Sequence, residues 1–320
     1  MYKLAIAIPT YNRPNELGDN LNNILSVLIK EKIKVYISDD SLNDDTQDLV
    51  AKLRLKYDNF NYIKNSPSLG HDLNCIQTLS LSKNDEYIWY MNDSALVSPE
   101  SIERVVEMLN FDEELACLIV NTAGRVQHLS DFRSNDKAKF FNDLAWHTTL
   151  TGVTIYNARL LKAVLDSTLY QKYIGSNFIQ TGILVEVLML SNLNYRWYGS
   201  SCFVNHPSRT ESYWQNNVFQ VFGYDWVNFV NSLPYLTAVQ RLKLIKQHGE
   251  NTGLFSYQRL ISFRCYGALS LRKFFKYYSV IKQISDISLC YYFFVSVLPK
   301  SLCCVMRYFG SIIKKKINND

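Results

Sequence analysis

The sequence predicts an α/β protein: a doubly wound, mostly parallel sheet flanked by helices, with a helical extension at the carboxyl end. Short β-branched apolar runs alternate with segments of helical period to about residue 120. From Leu236 onward the chain instead becomes basic, aromatic and helix-like.

Leu4-Ala5-Ile6-Ala7-Ile8 reads as a buried strand and stops at Pro9-Thr10-Tyr11-Asn12-Arg13-Pro14. Between Asn15 and Lys30, Leu17, Leu21, Ile24, Leu25 and Leu28 share one helical face. Lys34-Val35-Tyr36-Ile37 is a second strand, ending in Ser38-Asp39-Asp40-Ser41-Leu42-Asn43-Asp44-Asp45-Thr46. Both polar clusters therefore follow strand carboxyl ends, the edge at which open α/β sheets bind ligands. Asp44 is expected to close its loop and Thr46 to cap a helix over Asp48 to Tyr57. Phe60 to Lys64 reads as a strand, Asn65 to Gly70 as a loop, and His71 to Ser82 as a helix through Leu73, Ile76, Leu79 and Leu81. Tyr87 to Met91 is another buried strand, turning at Asn92-Asp93-Ser94; Ser98 caps a helix that has Pro99 in its first turn. Leu115 to Val120 is strand, Thr148 to Tyr156 β-rich, Gly175 to Leu193 helical, and Tyr195 to Val204 strand-like.

A chain of 320 residues, 48% hydrophobic and 20% charged, buries a large core and is not disordered. No positive-apolar-small leader precedes the first strand, so export is not expected. Seven cysteines without metal-type spacing are expected to be reduced, in a cytosolic protein. Residues 236–320 carry 14 Lys/Arg and 3 Asp/Glu, a net charge of +11, whereas residues 1–235 carry 20 and 26, a net of −6. A basic tail on an acidic body implies a polyanionic partner. The 12 apolar residues Ile287 to Leu298 fall short of the roughly 20 needed to span a bilayer. Ser301 to Ile313, followed by Lys314-Lys315-Lys316, suits either an interfacial amphipathic helix or a core helix with a solvated basic tip. The chain has no motif that reads nucleic acid.

The Ile8 to Pro14 stretch, the Ser38-Asp39-Asp40 cluster with Asp44-Asp45-Thr46, the Leu69-Gly70…Asn74 loop and the Asn92-Asp93-Ser94 turn resemble the nucleotide-sugar half of family-2-type glycosyltransferases. Leu69-Gly70-x-Asp72-x-Asn74 and Asp93-Ser94-Ala95-Leu96 are most similar to bacterial O-antigen and capsule enzymes of the abequosyltransferase type. The resemblance implies a GT-A-like transferase domain over 1–235, with a nucleotide-sugar half at 1–120 and an acceptor half at 121–235. Beyond residue 235 the resemblance ends, and it is the charge split that leads to the expectation that residues 236–320 dock on the membrane surface. The resemblance implies a nucleotide diphosphate sugar donor and a lipid-linked oligosaccharide acceptor, at the cytoplasmic face of the cell membrane. The sugar moved would be a hexose or deoxyhexose.

The donor has a base N–H, a ribose and a charged diphosphate to satisfy. Resemblance assigns donor contacts to Pro9, Thr10, Tyr11, Arg13, Asp39, Asp40, Gly70, His71, Asn74, Asn92, Asp93 and His206. Asp39 would accept from the base N–H, and Thr10 would hold the ribose or base edge. Where the family has Asp-x-Asp for Mg²⁺ or Mn²⁺, this chain has Asn92-Asp93-Ser94, so Asp93 and His206 are the metal candidates. Leu73 replaces an Arg common in the family, leaving His71, Arg13 or the amides of the helix start to face the phosphates. The family's acidic pair in the acceptor half is missing from Gly175-Ser176-Asn177-Phe178-Ile179-Gln180. Asp143, His147 and Glu186 are the remaining candidates for the base, Glu186 being alternatively a paired core acid. Arg209 stands as a further phosphate candidate, and Trp197, Tyr198, Tyr213 and Trp214 either stack on sugars or fill the core. A degenerate member that binds nucleotide sugar or glycan without turnover is the alternative.

Overall fold

A computed structural model of the chain describes residues 2–82, 84–111, 113–208 and 214–317. They fall into two compact units, Met1–Thr210 and Glu211–Asp320. Arg209 and Tyr213 lie outside the described residues.

The first unit begins β1 (Tyr2–Thr10), α1 (Pro14–Lys30), β2 (Lys34–Asp39), α2 (Asp45–Arg54), β3 (Phe60–Lys64), α3 (His71–Ser80) and β4 (Asp85–Tyr90). It continues with β5 (Ala95–Val97), α4 (Pro99–Phe111), β6 (Cys117–Thr122), β7 (Phe132–Ser134) and α5 (Lys137–Asp143). It closes with β8 (Thr154–Asn157), α6 (Ala158–Asp166), α7 (Ile179–Met189) and β9 (Tyr195–Asn205). The sheet order is β3-β2-β1-β4-β8-β6-β9-β5, with β7 beside β9. β1, β2, β3, β4, β6 and β9 point one way; β5, β7 and β8 run against them. This is the mostly parallel α/β sheet expected.

Its cause is the apolar pattern. Leu4 to Ile8 are buried because β1 is central and has no solvent face. α1 buries Leu17, Leu21, Ile24 and Leu28 against the same core, while Leu25 is only half-buried. Trp89 of β4 is fully buried and its indole N–H donates to Gly152 O at 2.7 Å, pinning the approach to β8 against β4. Because the long strands run together, the turns after β1, β2, β3, β4 and β6 gather along one sheet edge.

Three local expectations are corrected. Thr46 does not cap α2; the helix begins at Asp45, and Thr46 is buried within it, its Oγ1 without a hydrogen-bond partner among the described residues. The β-rich stretch at 148–156 is a short strand only, because His147–Thr149 forms a 3-10 turn. The helix expected from Gly175 starts at Ile179, after left-handed backbone at Gly175 and Asn177.

In the second unit, a π-helical turn at Gln220–Asp225 leads into α8 (Trp226–Ser232), α9 (Ala238–Thr252), α10 (Tyr257–Tyr266) and α11 (Leu271–Lys276). α12 (Tyr278–Ile284), α13 (Leu289–Val297) and α14 (Lys300–Ile317) follow. The unit starts well before the composition change at 236 because aromatic packing reaches back. Phe219 stacks on Phe255 and Tyr277, and the Trp226 indole N–H donates to Ile245 O at 3.3 Å. The cysteines are not all reduced: Cys265 of α10 is bonded to Cys304 of α14, their Cα atoms 5.2 Å apart. Helix packing brings together two residues 39 apart in sequence, so no local spacing announces the bond. Cys303 is buried as packing. Among the described residues no single helix is long and apolar enough to cross a membrane; Leu289–Val297 and Lys300–Phe309 reach that length and hydropathy only as a pair, with a 109° bend between them.

Gly182 sits in α7 against Tyr173, and a Cβ there would lie 2.3 Å from the Tyr173 ring. Tyr173 is fully buried, so it has no room to retreat. Gly182→Ala should therefore destabilise by about 1–3 kcal/mol through overpacking, outweighing the roughly 1 kcal/mol that alanine contributes as a helix former. Thermal unfolding checks this: a lowered melting temperature is expected, and an unchanged or raised one would contradict the packing.

Candidate active site

The turns after β1 and β4 are joined by charge. Arg13, at the start of α1, donates from Nη1 to Asp93 Oδ1 at 2.9 Å, and Thr10 Oγ1 donates to Asp93 Oδ2 at 3.2 Å. Asp93 is buried. Burial pushes its carboxyl up from the ordinary value, while Arg13, Thr10 and the Tyr11 backbone pull it back. Asn12 makes this turn possible: it takes left-handed backbone, which asparagine tolerates, and its N–H donates to Ser41 Oγ at 2.7 Å. Pro9 lies in β1 opposite Ser38, and Tyr11 is exposed beside the turn.

The two acids at the end of β2 have different work. Asp39 is fully buried, receiving the Ser41 N–H at 2.9 Å and the Tyr62 hydroxyl at 2.8 Å. Its oxygens retain acceptor capacity for one more N–H. Asp40 is saturated. It accepts from Asn65 Nδ2 (3.1 Å), Ser68 Oγ (2.7 Å), Leu69 N (2.7 Å) and Gly70 N (2.8 Å). Asp40 is thus a support of the loop rather than a donor contact. Gly70 caps α3 with φ of +79°, where a side chain would be strained. Asn74 is buried and receives Asn65 Nδ2 at 3.1 Å.

Mg²⁺ and Mn²⁺ need hard oxygen ligands, commonly one or two carboxylates together with substrate phosphates. Asp93 is the one carboxylate of its turn, and both its oxygens are engaged, one by a guanidinium. The Asn92 amide N–H donates to Thr151 O at 2.9 Å. His206 is beside the turn through its backbone N–H on Ser94 O, but its ring turns away: Nε2 meets Asp19 Oδ2 at 3.1 Å and Nδ1 meets Ser208 Oγ at 2.7 Å. Among the described residues no group of three or more His, Cys, Asp and Glu could hold a metal. As arranged, Asp93 is engaged by Arg13 and Thr10, and the His206 ring by Asp19 and Ser208, so the two metal candidates are held by other partners.

None of the three base candidates stands at this edge as a base. His147 is fully buried, its Nε2 3.0 Å from Val120 O and its ring edge-on to Trp146 and Trp197. Burial, helped by nearby Arg125, pushes its pKa down to about 3, so it stays neutral in the core. Glu186 is a paired core acid, 2.5 Å from the Tyr173 hydroxyl and 2.9 Å from Lys172 Nζ. Asp143 pairs with Lys139 one turn earlier, at 2.6 Å, on the surface of α5. Trp197 is core, Tyr198 is half-buried, and Trp214 packs edge-on against Phe222.

Other contributors lay outside the sequence expectations. Tyr62 supports Asp39, and strand alternation in β3 was a usable signal for it. Asp72 joins α3 to the loop before α7 by accepting the Gly175 N–H at 2.7 Å, and also meets His71 Nδ1 at 2.7 Å. Gln180 donates to Thr149 O at 2.9 Å. No local pattern marks these long-range contacts.

The family model for glycosyl transferase family 2 matches residues 5–171. Abequosyltransferase RfbV of Salmonella typhimurium is 28% identical over 208 residues, which is 58% of this chain and 60% of that protein. The chain therefore matches less than two thirds of that relative's length. Among solved structures, the mannosyltransferase PcManGT of Pyrobaculum calidifontis, in complex with GDP-Man and Mn²⁺, superposes with a TM-score of 0.55 at 13% identity, covering 96% of this chain and 87% of that one. S. aureus TarS 1-349 in complex with UDP-GlcNAc gives a TM-score of 0.53 at 14% identity, covering 82% and 75%. These structural likenesses carry the fold alone, whereas the family model spans just over half of the chain. The chain belongs to glycosyl transferase family 2.

Proposed function

We propose that the protein transfers a hexose or deoxyhexose from a nucleotide diphosphate sugar to a lipid-linked oligosaccharide at the cytoplasmic face of a bacterial membrane. One observation carries this: Asp39 and the Arg13–Asp93–Thr10 cluster stand at neighbouring strand ends of one sheet edge. Asp39 suits a base N–H, and Arg13 supplies positive charge for a diphosphate. The relatives add support, one being an abequosyltransferase and two having been solved with nucleotide sugars.

Charge supports the membrane side of the proposal. The net charge of +11 over residues 236–320 suits an anionic lipid surface. α13 and α14 expose Phe293, Phe294, Leu302, Val305, Tyr308 and Phe309, apolar bodies suited to the headgroup boundary. Lys314, Lys315 and Lys316 follow them in sequence.

Two measurements test the proposal. In a thermal-shift screen of UDP, GDP, CDP and dTDP, one nucleotide at a hundredfold excess over Kd should raise the melting temperature by about 5 °C. The shift should persist in EDTA, and Arg13→Lys should weaken it; a shift that needs Mn²⁺ would rule out Arg13 as the sufficient positive charge. Binding of a nucleotide sugar without any product would favour the non-catalytic alternative, which the single carboxylate at Asp93 motivates. In sedimentation with vesicles, the protein should bind phosphatidylglycerol-containing but not pure phosphatidylcholine membranes. Replacing Lys314, Lys315 and Lys316 by Ala should weaken that binding on the order of a hundredfold, at about 1 kcal/mol per basic residue; equal binding to both vesicles would overturn the docking.

A further inference from the structure

We propose that His71 is the general base of the transfer and that Asp72 positions it, the pair replacing the acid missing from the segment Gly175 to Gln180. This rests on the transferase reading above. Asp72 reaches from the first turn of α3 to that segment: Oδ2 accepts the Gly175 N–H at 2.7 Å, and Oδ1 lies 2.7 Å from His71 Nδ1. Asp72 is buried with both oxygens engaged, so it is suited to orienting a ring rather than to receiving a proton. A carboxylate on Nδ1 selects the tautomer with its proton there and puts the basic lone pair on Nε2. The His71 side chain is 39% exposed, so the ring reaches the solvent side of the edge.

The location is built, not incidental. Asp40 holds the Leu69 and Gly70 amides, and this sets where α3 starts beside the end of β2. From the acceptor half, Gln180 spends its amide N–H on Thr149 O, and from the β4 turn Asn92 spends its own on Thr151 O. Gln180 Oε1 and Asn92 Oδ1 are then buried acceptors without a hydrogen-bond partner among the described residues. Buried acceptors of this kind are ones that a polar partner would satisfy.

In the step itself, the acceptor hydroxyl gives its proton to His71 Nε2 as its oxygen bonds to the anomeric carbon. The bond from that carbon to the diphosphate oxygen breaks, and its electron pair leaves on the diphosphate, facing Arg13. Asp72 stabilises the imidazolium that results.

The test uses the full chain, a panel of UDP-, GDP-, CDP- and dTDP-sugars, and detergent-extracted bacterial lipid-linked oligosaccharide, with release of nucleoside diphosphate as the readout. His71→Ala should lower kcat at least a hundredfold, leave the donor KM within about threefold, and regain activity with added imidazole. Asp72→Asn should lower kcat about tenfold or more with the donor KM held, and Asp72→Glu should restore part of it. Unfolding curves for each variant, with His71→Asn as a second substitution, separate chemistry from folding. A His71→Ala enzyme within threefold of wild-type kcat would overturn the proposal, as would a loss that imidazole cannot restore in a folded variant. A wild-type enzyme that turns over no donor would instead overturn the transferase reading, and the base with it.

Discussion

The carboxylate of Asp40 organises the ligand edge without facing a ligand. It is buried and takes four hydrogen bonds, two from side chains and two from consecutive backbone amides some thirty residues on. A buried carboxylate lacking such partners costs several kcal/mol, so loop and acid hold each other in place. The loop ends in Gly70, Gly70 starts α3, and the first turn of α3 carries His71 and Asp72. Asp72 then reaches the loop before α7 through Gly175. One carboxylate side chain thereby relates the end of β2, by way of α3, to the loop before α7.

A second constraint is electrostatic economy. The usual role of two acids and a metal ion is to present positive charge to a leaving diphosphate. Here one acid is tied to an arginine instead, and the flanking positions are an amide and a hydroxyl. Guanidinium geometry suits phosphate oxygens well, because its donors lie in one plane and its charge is permanent. Asp93 holds Arg13, and Thr10 holds Asp93.

Strand and helix order in the first unit was legible because β-branched runs and helical stripes are local patterns. Thr10, Asp39 and Asp93 were legible for the same reason: each sits where an apolar run breaks at a strand end. What distinguishes Asp39 from Asp40 was not, since their partners come from Tyr62 and the backbone of Leu69 and Gly70. His147 and Glu186 look like catalytic residues in a sequence, yet tertiary burial makes the first a core ring and the second a core ion pair. Cys265 and Cys304 meet only because α10 and α14 pack together. The boundary between units also follows packing, with Phe219 and Trp226 on the far side of a composition change that falls later.

Glu186 has a consequence for genetics. It holds the Tyr173 hydroxyl and the Lys172 ammonium inside a helix whose Gly182 is already in close contact with that same tyrosine ring. Removing the acid takes away the carboxylate that a buried phenol and a lysine share. An alanine scan scored by growth or by product alone would rank Glu186 with catalytic residues and name it the missing acid. The soluble yield of each variant is what would tell a scaffold defect from a chemical one.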